Sequence, residues 1–354
     1  MMRLTLSLAM LLCTMLSALA QDSVRHKKVK VLPVPAFGYT PETSTYVGAV
    51  SLFTLDFYND SLTRSSNAKL EVNYTWKKQM ILEAGWDYFF KKEKWFTRGL
   101  LHYSRYPDSY YGIGPKTPRS NKVLYDSDRL IMAVNLLRNV GNKWFAGINT
   151  RYVDYRNVGL PDDELSLGTG YPELKDASVG GLGLVLLRDS RNSILTPTSG
   201  MYLYGLLRQN FSATNYADAV LDLRSYAQIG SRYTLATRLV NTWKFAEPPF
   251  YDMSILGGDR YVRGYFYGRY RDRHLSSLQS EFRFPIVWRF RGALFVGVST
   301  LYADNLPAYS DIRGNYGAGL RFLVDKEENT HLRLDYALGE LSNSGFYVSF
   351  GESF

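Results

Sequence analysis

The feature that most constrains this chain is an alternation of apolar and polar residues with a period of two, repeated along most of its length. In one segment, Leu332, Leu334 and Tyr336 share one face, whereas Arg333 and Asp335 share the opposite face. A period of two is that of a β-strand with one apolar and one polar face. Similar segments recur from near the N-terminus to the last residues, so the sequence predicts an all-β protein.

The alternation predicts sixteen strands, most of them about 10 to 14 residues long, which exceeds the five or six residues usual in soluble sheets and suits a tilted bilayer span. The predicted strands are 31–39, 44–57, 66–77, 79–90, 95–106, 123–138, 143–156, 177–188, 199–209, 216–228, 232–244, 274–288, 292–303, 314–324, 330–338 and 345–354.

The connections between these strands also alternate in length. If both termini are periplasmic, one side has mostly short turns, such as Gly141-Asn142 and Gly230-Ser231. The other side holds the long segments near 107–122, 157–176, 245–273 and 304–313. The connections 58–65 and 189–198 are longer than this pattern requires. A soluble β-sandwich would show the same alternation, but long strands with short periplasmic turns favour an outer-membrane barrel.

The composition agrees with a barrel. Mean hydropathy is slightly negative, and no segment after the N-terminus holds about 18 uninterrupted apolar residues, so a helical membrane protein is excluded. A closed barrel pairs every backbone donor and acceptor with a neighbouring strand, which the bilayer requires. Six tryptophans near or within predicted strands would form interfacial girdles: Trp76, Trp86, Trp95, Trp144, Trp243 and Trp288.

The N-terminus predicts export. Arg3, an apolar run over 4–16 and the exit Ala18-Leu19-Ala20 are typical of a secretory signal peptide. We therefore expect a signal peptide over 1–20, a short periplasmic segment over 21–30 and a transmembrane barrel over 31–354. The single cysteine, Cys13, lies in the predicted signal peptide, so no disulfide framework is expected.

Four motifs in the second half of the chain resemble those of one known superfamily. The first is Gly257-Gly258-Asp259-Arg260-Tyr261-Val262-Arg263-Gly264-Tyr265, which resembles the loop-six motif of the BamA/TamA (bacterial surface antigen) superfamily. The other three motifs occur in the superfamily's order. The superfamily's mid-barrel turn is similar to Arg188-Asp189-Ser190-Arg191 with Pro197-Thr198-Ser199-Gly200. Its strand-twelve motif is similar to Glu281-Phe282-Arg283-Phe284-Pro285, and its penultimate hairpin is similar to Gly317-Ala318-Gly319-Leu320-Arg321 with Leu332-Arg333-Leu334-Asp335-Tyr336.

The resemblance implies a 16-stranded antiparallel barrel in which loop six folds into the lumen and its arginine binds inward carboxylates. Carried over, Arg263 would bind Glu281, with Val262, Gly264 and Tyr265 completing the motif. The alternation independently places Glu281 on a polar face. An arginine suits this position because its planar fork can hold a carboxylate through two bonds.

One position departs from the superfamily pattern. Gly297 stands where members often have an aspartate on strand thirteen, and Asp304 is an uncertain substitute near the strand end. We therefore expect a lock of two residues. For Arg260, Arg269, Arg271 and Arg273, a solvated surface loop is as good an interpretation as a structural role.

The last residues resemble the C-terminal signal of outer-membrane proteins. Phe346, Val348 and Phe350 alternate toward a terminal Phe354. In the superfamily, the seam between first and last strands can open; here it would join 31–39 to 346–354. Pro33 and Pro35 cannot donate ladder hydrogen bonds and would weaken that edge, or they simply mark strand entry.

The function predicted from these features is to assist the assembly, insertion or translocation of outer-membrane or surface components. The expected partners are outer-membrane lipid, periplasmic or outer-membrane assembly proteins and unfolded barrel clients. A passive channel or porin is the alternative, and a structural surface antigen is a third reading. The ten residues 21–30 leave no room for POTRA domains or a patatin lipase, so the client-binding role does not transfer directly.

Enzymatic and nucleic-acid functions find little support. The four histidines are scattered without metal-ligand spacing, so neither a metal nor a cofactor is expected. His102 near Ser104 is a weak candidate for a lipase-like pair. Residues 180–183, Gly-Gly-Leu-Gly, lie within a strand and are better explained by packing than by phosphate binding. The net charge of +9 is spread over strands and loops without a nucleic-acid-binding fold.

Overall fold

The computed structural model describes residues 29–40, 44–58, 60, 62–76, 79–160, 173–259, 261–303, 311–326 and 329–354. The predicted signal peptide lies outside these residues. The described chain is built almost entirely from nineteen strands: β1 (Val29–Thr40), β2 (Ser44–Leu55), β3 (Ser66–Thr75), β4 (Met80–Phe89), β5 (Trp95–Arg105), β6 (Asp108–Tyr110), β7 (Val123–Gly141), β8 (Trp144–Gly159), β9 (Ala177–Asp189), β10 (Gly200–Phe211), β11 (Tyr216–Ile229), β12 (Tyr233–Phe245), β13 (Ser254–Leu256), β14 (Tyr270–Asp272), β15 (His274–Val287), β16 (Phe290–Tyr302), β17 (Ile312–Asp325), β18 (Thr330–Gly339) and β19 (Ser344–Phe350).

The strands form one 17-stranded sheet and a separate two-stranded ladder of β13 and β14. In the large sheet, each long strand pairs antiparallel with the next long strand along the chain, from β1 with β2 to β18 with β19. The three-residue β6 pairs with the end of β7. Among the described strands, no ladder joins the edge strands β1 and β19. The prediction of an all-β, antiparallel architecture is confirmed.

The two faces of the sheet differ as the alternation predicts. On β9, Leu182, Leu184 and Leu186 point to the outer face and are about half exposed or more, whereas Val185 and Leu187 are buried on the inner face. Exposed leucine, valine and phenylalanine side chains continue this outer surface around the sheet. Soluble monomers rarely expose so many large apolar side chains on one face, so this surface indicates a membrane-facing belt.

The inner face of β9 explains the Gly-Gly-Leu-Gly run. Gly181 and Gly183 face inward, and the side chain of Arg208 on β10 crosses them. A Cβ atom on Gly183 would lie 2.8 Å from the Cβ atom of Arg208. The glycines therefore make room for a neighbouring arginine, and nothing in this run resembles a phosphate-binding loop.

The sheet has two rims. The loop rim is the edge that carries the long connections, such as 106–122 between β5 and β7 and 246–273 between β12 and β15. The turn rim is the opposite edge, where β7 joins β8 through a tight turn. There Asn142 and Lys143 have φ of 49° and 62°, as the common two-residue hairpin requires.

A cavity of about 1200 Å³ lies against the inner face. Charged side chains from several strands line it, including Lys69, Arg151, Arg208, Asp218, Asp222 and Lys244. It also reaches both edge strands, at Leu32 and Val34 of β1 and at Phe346 and Val348 of β19. No helix in the described residues is long and apolar enough to cross a membrane.

Candidate functional site

The connection 246–273 is held against the inner face by its own short ladder. Ser254, Ile255 and Leu256 of β13 pair with Asp272, Arg271 and Tyr270 of β14, so the residues between them form the tip of a hairpin. This tip buries a cluster of apolar side chains against β15 and β16: Leu256, Val262, Tyr265, Tyr270, Leu275 and Leu301. The cluster fixes the residues of the sequence motif against the sheet.

Arg263 lies at the centre of this contact and is fully buried. Its Nη2 donates to Glu281 Oε2 on β15 at 2.8 Å, and its Nη1 donates to Asp335 Oδ2 on β18 at 2.5 Å. The guanidinium carbon lies 3.5 Å from the centroid of the Phe295 ring on β16. The structure thus brings Arg263 and Glu281 together as the sequence predicts.

Asp335 supplies the carboxylate that the sequence analysis did not find. The expectation of a two-residue lock is wrong, because Arg263 binds two carboxylates. The second comes from β18 and not from β16, where a Cβ on Gly297 would lie 2.5 Å from Asn315 Oδ1. Asp304 lies outside the described residues.

Three more arginines surround the two carboxylates. Arg321 binds Asp335 and donates to Glu281 at 3.3 Å and to Glu352 at 3.0 Å. Arg283 Nε donates to Glu281 at 2.8 Å. Arg333 lies 3.4 Å from Asp335 and binds Asp259 in the hairpin tip. Since an unpaired buried charge is strongly destabilising, this cluster depends on each of its members.

The other motif residues hold the tip against β17, β18 and β19. Val262 is fully buried. The amide of Gly264 donates to the Tyr347 hydroxyl at 2.8 Å, and a Cβ at Gly264 would lie 2.8 Å from the carbonyl carbon of Leu338. The hydroxyl of Tyr265 donates to the carbonyl of Gly314 at 2.6 Å. Burial raises the pKa of Tyr265 to about 12, so this donor remains protonated at neutral pH.

The other arginines of the connection are also engaged. Arg269 donates to the carbonyl of Thr117 at 2.7 Å, and Arg271 lies 3.4 Å from Asp108, so both reach the connection 106–122. Both side chains are buried, which disagrees with a solvated loop. Arg260 lies outside the described residues. These contacts tie two long connections together at the loop rim.

The turn motif between β9 and β10 is built around an ion pair. Asp189 and Arg191 are almost fully buried and bind each other at 2.9 Å. Arg191 lies 4.6 Å from the centroid of the Tyr202 ring. Arg188 instead lies over Trp144 at 5.5 Å. Gly200 has a φ of 102°, and a Cβ there would overlap the carbonyl oxygen of Ser190, so only glycine fits this close approach.

Arg283 connects this turn to the lock. The same guanidinium that binds Glu281 donates to the carbonyl of Pro197 at 2.9 Å and to the carbonyl of Phe354 at 3.0 Å. Sequence reasoning placed Arg283 in a motif without assigning it a role. Its inward position follows from the alternation, since it is two residues from Glu281 on the same strand face.

The final residues depart from the predicted strand. β19 ends at Phe350, so the prediction of a strand through Phe354 is wrong. Gly351 adopts a φ of 77°, and its amide donates to the carbonyl of His331. Phe354 is buried beside Tyr226 and Ala236. Phe346, Val348 and Phe350 remain on β19, whereas residues 351–354, here called the tail, fold onto the inner face.

His102 does contact Ser104. Its Nε2 lies 3.1 Å from Ser104 Oγ and its Nδ1 lies 3.1 Å from Glu83 Oε2. Ser104 is only 1% exposed and also accepts a hydrogen bond from Arg129, so its hydroxyl is inaccessible to a substrate in this structure. Within the described ranges, no group of three or more His, Cys, Asp or Glu side chains is arranged to hold a metal ion.

Comparison with known proteins assigns the family. The model of the Omp85 superfamily domain matches residues 59–354. The chain therefore belongs to the Omp85 superfamily, whose members are outer-membrane β-barrel proteins. No match is found among curated proteins.

Two solved structures show the same fold. BamA from Haemophilus ducreyi, solved without POTRA domains 1–3, is 15% identical with a TM-score of 0.57, and the match covers 91% of this chain and 69% of that one. CdiB from Acinetobacter baumannii is 14% identical with a TM-score of 0.56, covering 91% of this chain and 60% of that one. At these identities the likeness concerns the fold alone. The predicted superfamily and the outer-membrane location are confirmed.

Proposed function

We propose that this protein assists the assembly, insertion or translocation of outer-membrane or surface components. In this proposal the sixteen long strands curve into a barrel whose seam lies between β1 and β19. The connection 246–273 is loop six, and it folds into the lumen. Outer-membrane barrels carry short turns on the periplasmic side, so the turn rim faces the periplasm. Periplasmic or outer-membrane assembly proteins and unfolded barrel clients are its proposed partners, and outer-membrane lipid surrounds it.

The observation that carries this proposal is the state of the two edge strands. Each edge strand has a hydrogen-bonded partner along one side only, β2 for β1 and β18 for β19. Among the described residues, no ladder joins β1 to β19. The cavity extends to both edges. Unpaired strand edges are templates for pairing with another chain. Such a seam suits a protein that receives an extended segment of a client.

The arginine–carboxylate cluster supports this role by holding the rest of the sheet rigid. Arg263, Glu281 and Asp335 connect the hairpin tip to β15 and β18. Strands near one edge are thereby fixed to the loop. The outermost strand, β19, is held through its partner β18, through the tail and through the hydrogen bond from Gly264 to Tyr347. The proposal is for a binding and assembly function without enzymatic chemistry.

Crosslinking tests the seam directly. A photo-crosslinking residue at Val31, on the outer face of β1, should capture nascent barrel strands in cells. The same residue at Leu207, equally lipid-facing but in the middle of the sheet, is the matched control. Capture at both positions, or at neither, would contradict a client-binding edge.

A depletion strain with quantitative proteomics of the outer membrane tests the function as a whole. Depletion should lower the amount of at least one other outer-membrane or surface component. If no other protein or lipid of that membrane changes, the assembly role is wrong.

The cavity lined by charged side chains also favours a second candidate, a passive channel. Planar bilayers distinguish the two, because a channel gives large and stable conductance in the native protein. Contacts between the connections 106–122 and 246–273 at the loop rim, and the tail at the turn rim, lead us to expect little conductance.

A further inference from the structure

A second, smaller pocket opens at the turn rim, beside the turn that joins β15 to β16. Its volume is about 370 Å³. Among the described residues that line it, Arg232, Arg289 and Arg291 are cationic and none is a carboxylate. The described lining of this pocket is therefore cationic, whereas the arginine–carboxylate cluster combines arginines with acids.

The polar groups of this pocket are poorly satisfied within the described chain. No ion pair joins any of the three arginines to a described carboxylate. Arg289 Nε is buried without a hydrogen-bond partner, and so is Nδ1 of His331, a side chain only 2% exposed. Arg291 donates to the carbonyl of Arg232 at 3.3 Å. A buried donor without a partner is costly, so the Arg289 guanidinium would be stabilised by an anion with several acceptor oxygens.

The outer side of the same pocket is apolar and exposed. Trp288 is 78% exposed and Val287 is 65% exposed. The Trp288 ring lies 6.2 Å from Phe290 and 6.0 Å from Phe322, and these two rings are 5.1 Å apart. Aromatic side chains at the end of a membrane strand lie at the boundary between headgroups and acyl chains. An anionic group bound here would have an apolar surface directly beside it.

We propose that this pocket binds one anionic glycerophospholipid. Its phosphate would accept hydrogen bonds from Arg289 and Arg291, because a guanidinium fork matches phosphate oxygens. Its acyl chain would run along Trp288, Phe290 and Phe322. In the orientation proposed above, this lipid belongs to the periplasmic leaflet of the outer membrane. Basic pockets on other membrane proteins bind acidic headgroups in the same way.

The same rim provides a matched control. Arg138 lies over Trp95 at 5.9 Å, in the same kind of arginine–tryptophan contact as Arg289 over Trp288 at 5.3 Å. Arg138 is exposed and does not line the pocket. Replacing it removes one positive charge and one stacking contact at this rim without altering the proposed site.

The test is native mass spectrometry of the purified full chain in a neutral detergent. The protein is titrated with phosphatidylglycerol and, separately, with phosphatidylcholine of the same chain length. The native protein should retain one molecule of phosphatidylglycerol in preference to phosphatidylcholine. The double variant R289Q/R291Q should bind it about tenfold more weakly or worse, as expected when charge-assisted hydrogen bonds are lost. R138Q should bind it like the native protein.

Several results would overturn the proposal. Equal retention of the two lipids would show no headgroup recognition, and equal weakening in R138Q would show only a general effect of charge. Displacement of phosphatidylglycerol by millimolar inorganic phosphate would show a phosphate site that makes no use of the acyl chain. Heat-dependent gel mobility, measured on each variant, establishes that the barrel is folded.

Glu327 and Glu328 lie between β17 and β18 in the sequence and outside the described residues. If the site selects anions, E327Q/E328Q should bind phosphatidylglycerol at least as tightly as the native protein. Weaker binding would contradict the proposal, because it would require these acids for recognition. The assay uses isolated protein, so its failure would leave the assembly role untouched.

Discussion

Arg283 donates a hydrogen bond to the backbone carbonyl of Phe354 at 3.0 Å, joining two residues that are 71 positions apart. The same guanidinium donates to the carbonyl of Pro197, in the turn between β9 and β10, and to Glu281. One side chain therefore holds the tail, a turn and the carboxylate that binds Arg263. This arrangement makes the tail part of the arginine–carboxylate cluster.

Replacing Arg283 should release the tail. The chain has a single cysteine, Cys13, in the predicted signal peptide, so Ser353→Cys provides a specific label site. Arg283→Gln loses the hydrogen bond to Phe354 and the ion pair with Glu352 at 3.5 Å. A combined loss of about 1.4 kcal/mol should raise the rate of maleimide labelling at this cysteine about tenfold. Arg138→Gln is the control and should label at the parent rate. Unchanged labelling in Arg283→Gln would show that the tail is held by other contacts.

Arg263→Ala should destabilise the folded sheet strongly. It leaves Glu281 and Asp335 without their buried partner, a loss that costs roughly 3–5 kcal/mol in comparable buried pairs. The measurement is the temperature at which the folded band on a gel disappears. Arg156→Ala removes a largely exposed arginine from its pair with Asp154 and should cost at most about 1 kcal/mol. Export should be intact in both variants, and a native melting temperature in Arg263→Ala would argue against the lock.

The pair of Arg263 and Asp335 should show energetic coupling. Asp335→Asn keeps the shape of the side chain but removes the charge that Arg263 and Arg321 share. In a double-mutant cycle with Arg263→Ala, the two losses should fail to add, with an interaction free energy of about 1–3 kcal/mol. The cycle is measured by denaturant unfolding in detergent. Strict additivity would mean that Asp335 serves Arg321 alone.

Gly200→Ala should be far more harmful than Gly230→Ala. Both glycines have positive φ, but a Cβ at Gly200 overlaps the carbonyl of Ser190, whereas nothing lies within 4 Å of the corresponding position at Gly230. A positive φ costs an alanine about 1–2 kcal/mol at Gly230, where φ is 61°, and at least as much at Gly200, where φ is 102°. The overlap with Ser190 adds to this cost only at Gly200. Comparing the unfolding midpoints of the two variants measures the added cost. Equal losses would indicate that the turn motif relaxes without penalty.

The strands were predictable because their signal is local. The predicted strand 216–228 corresponds to Tyr216–Ile229, and the predicted strand 123–138 to Val123–Gly141. The alternation is visible within the residues of each strand and does not depend on which strands pair with it. The short β13 and β14 were missed, since three residues are too few to show a period.

The partners of Arg263 were predictable only in part. Alternation places both Glu281 and Asp335 on polar faces, but it does not say which faces meet across the sheet. Glu281 was found through a motif, whereas Asp335 was hidden in another motif with no assigned partner. The inward turn at Gly351 is set by long-range contacts with His331 and Leu195, which no local pattern carries.

The tail leaves β19 without any linker, since Phe350 ends the strand and Gly351 already turns inward. The edge strand β19 and the tail therefore move as one unit. Any force that swings β19 sideways away from the sheet must also drag Glu352 from Arg321 and Phe354 from its socket beside Tyr226. Opening the sheet at β19 and removing the tail from the inner face at the turn rim would then be the same movement.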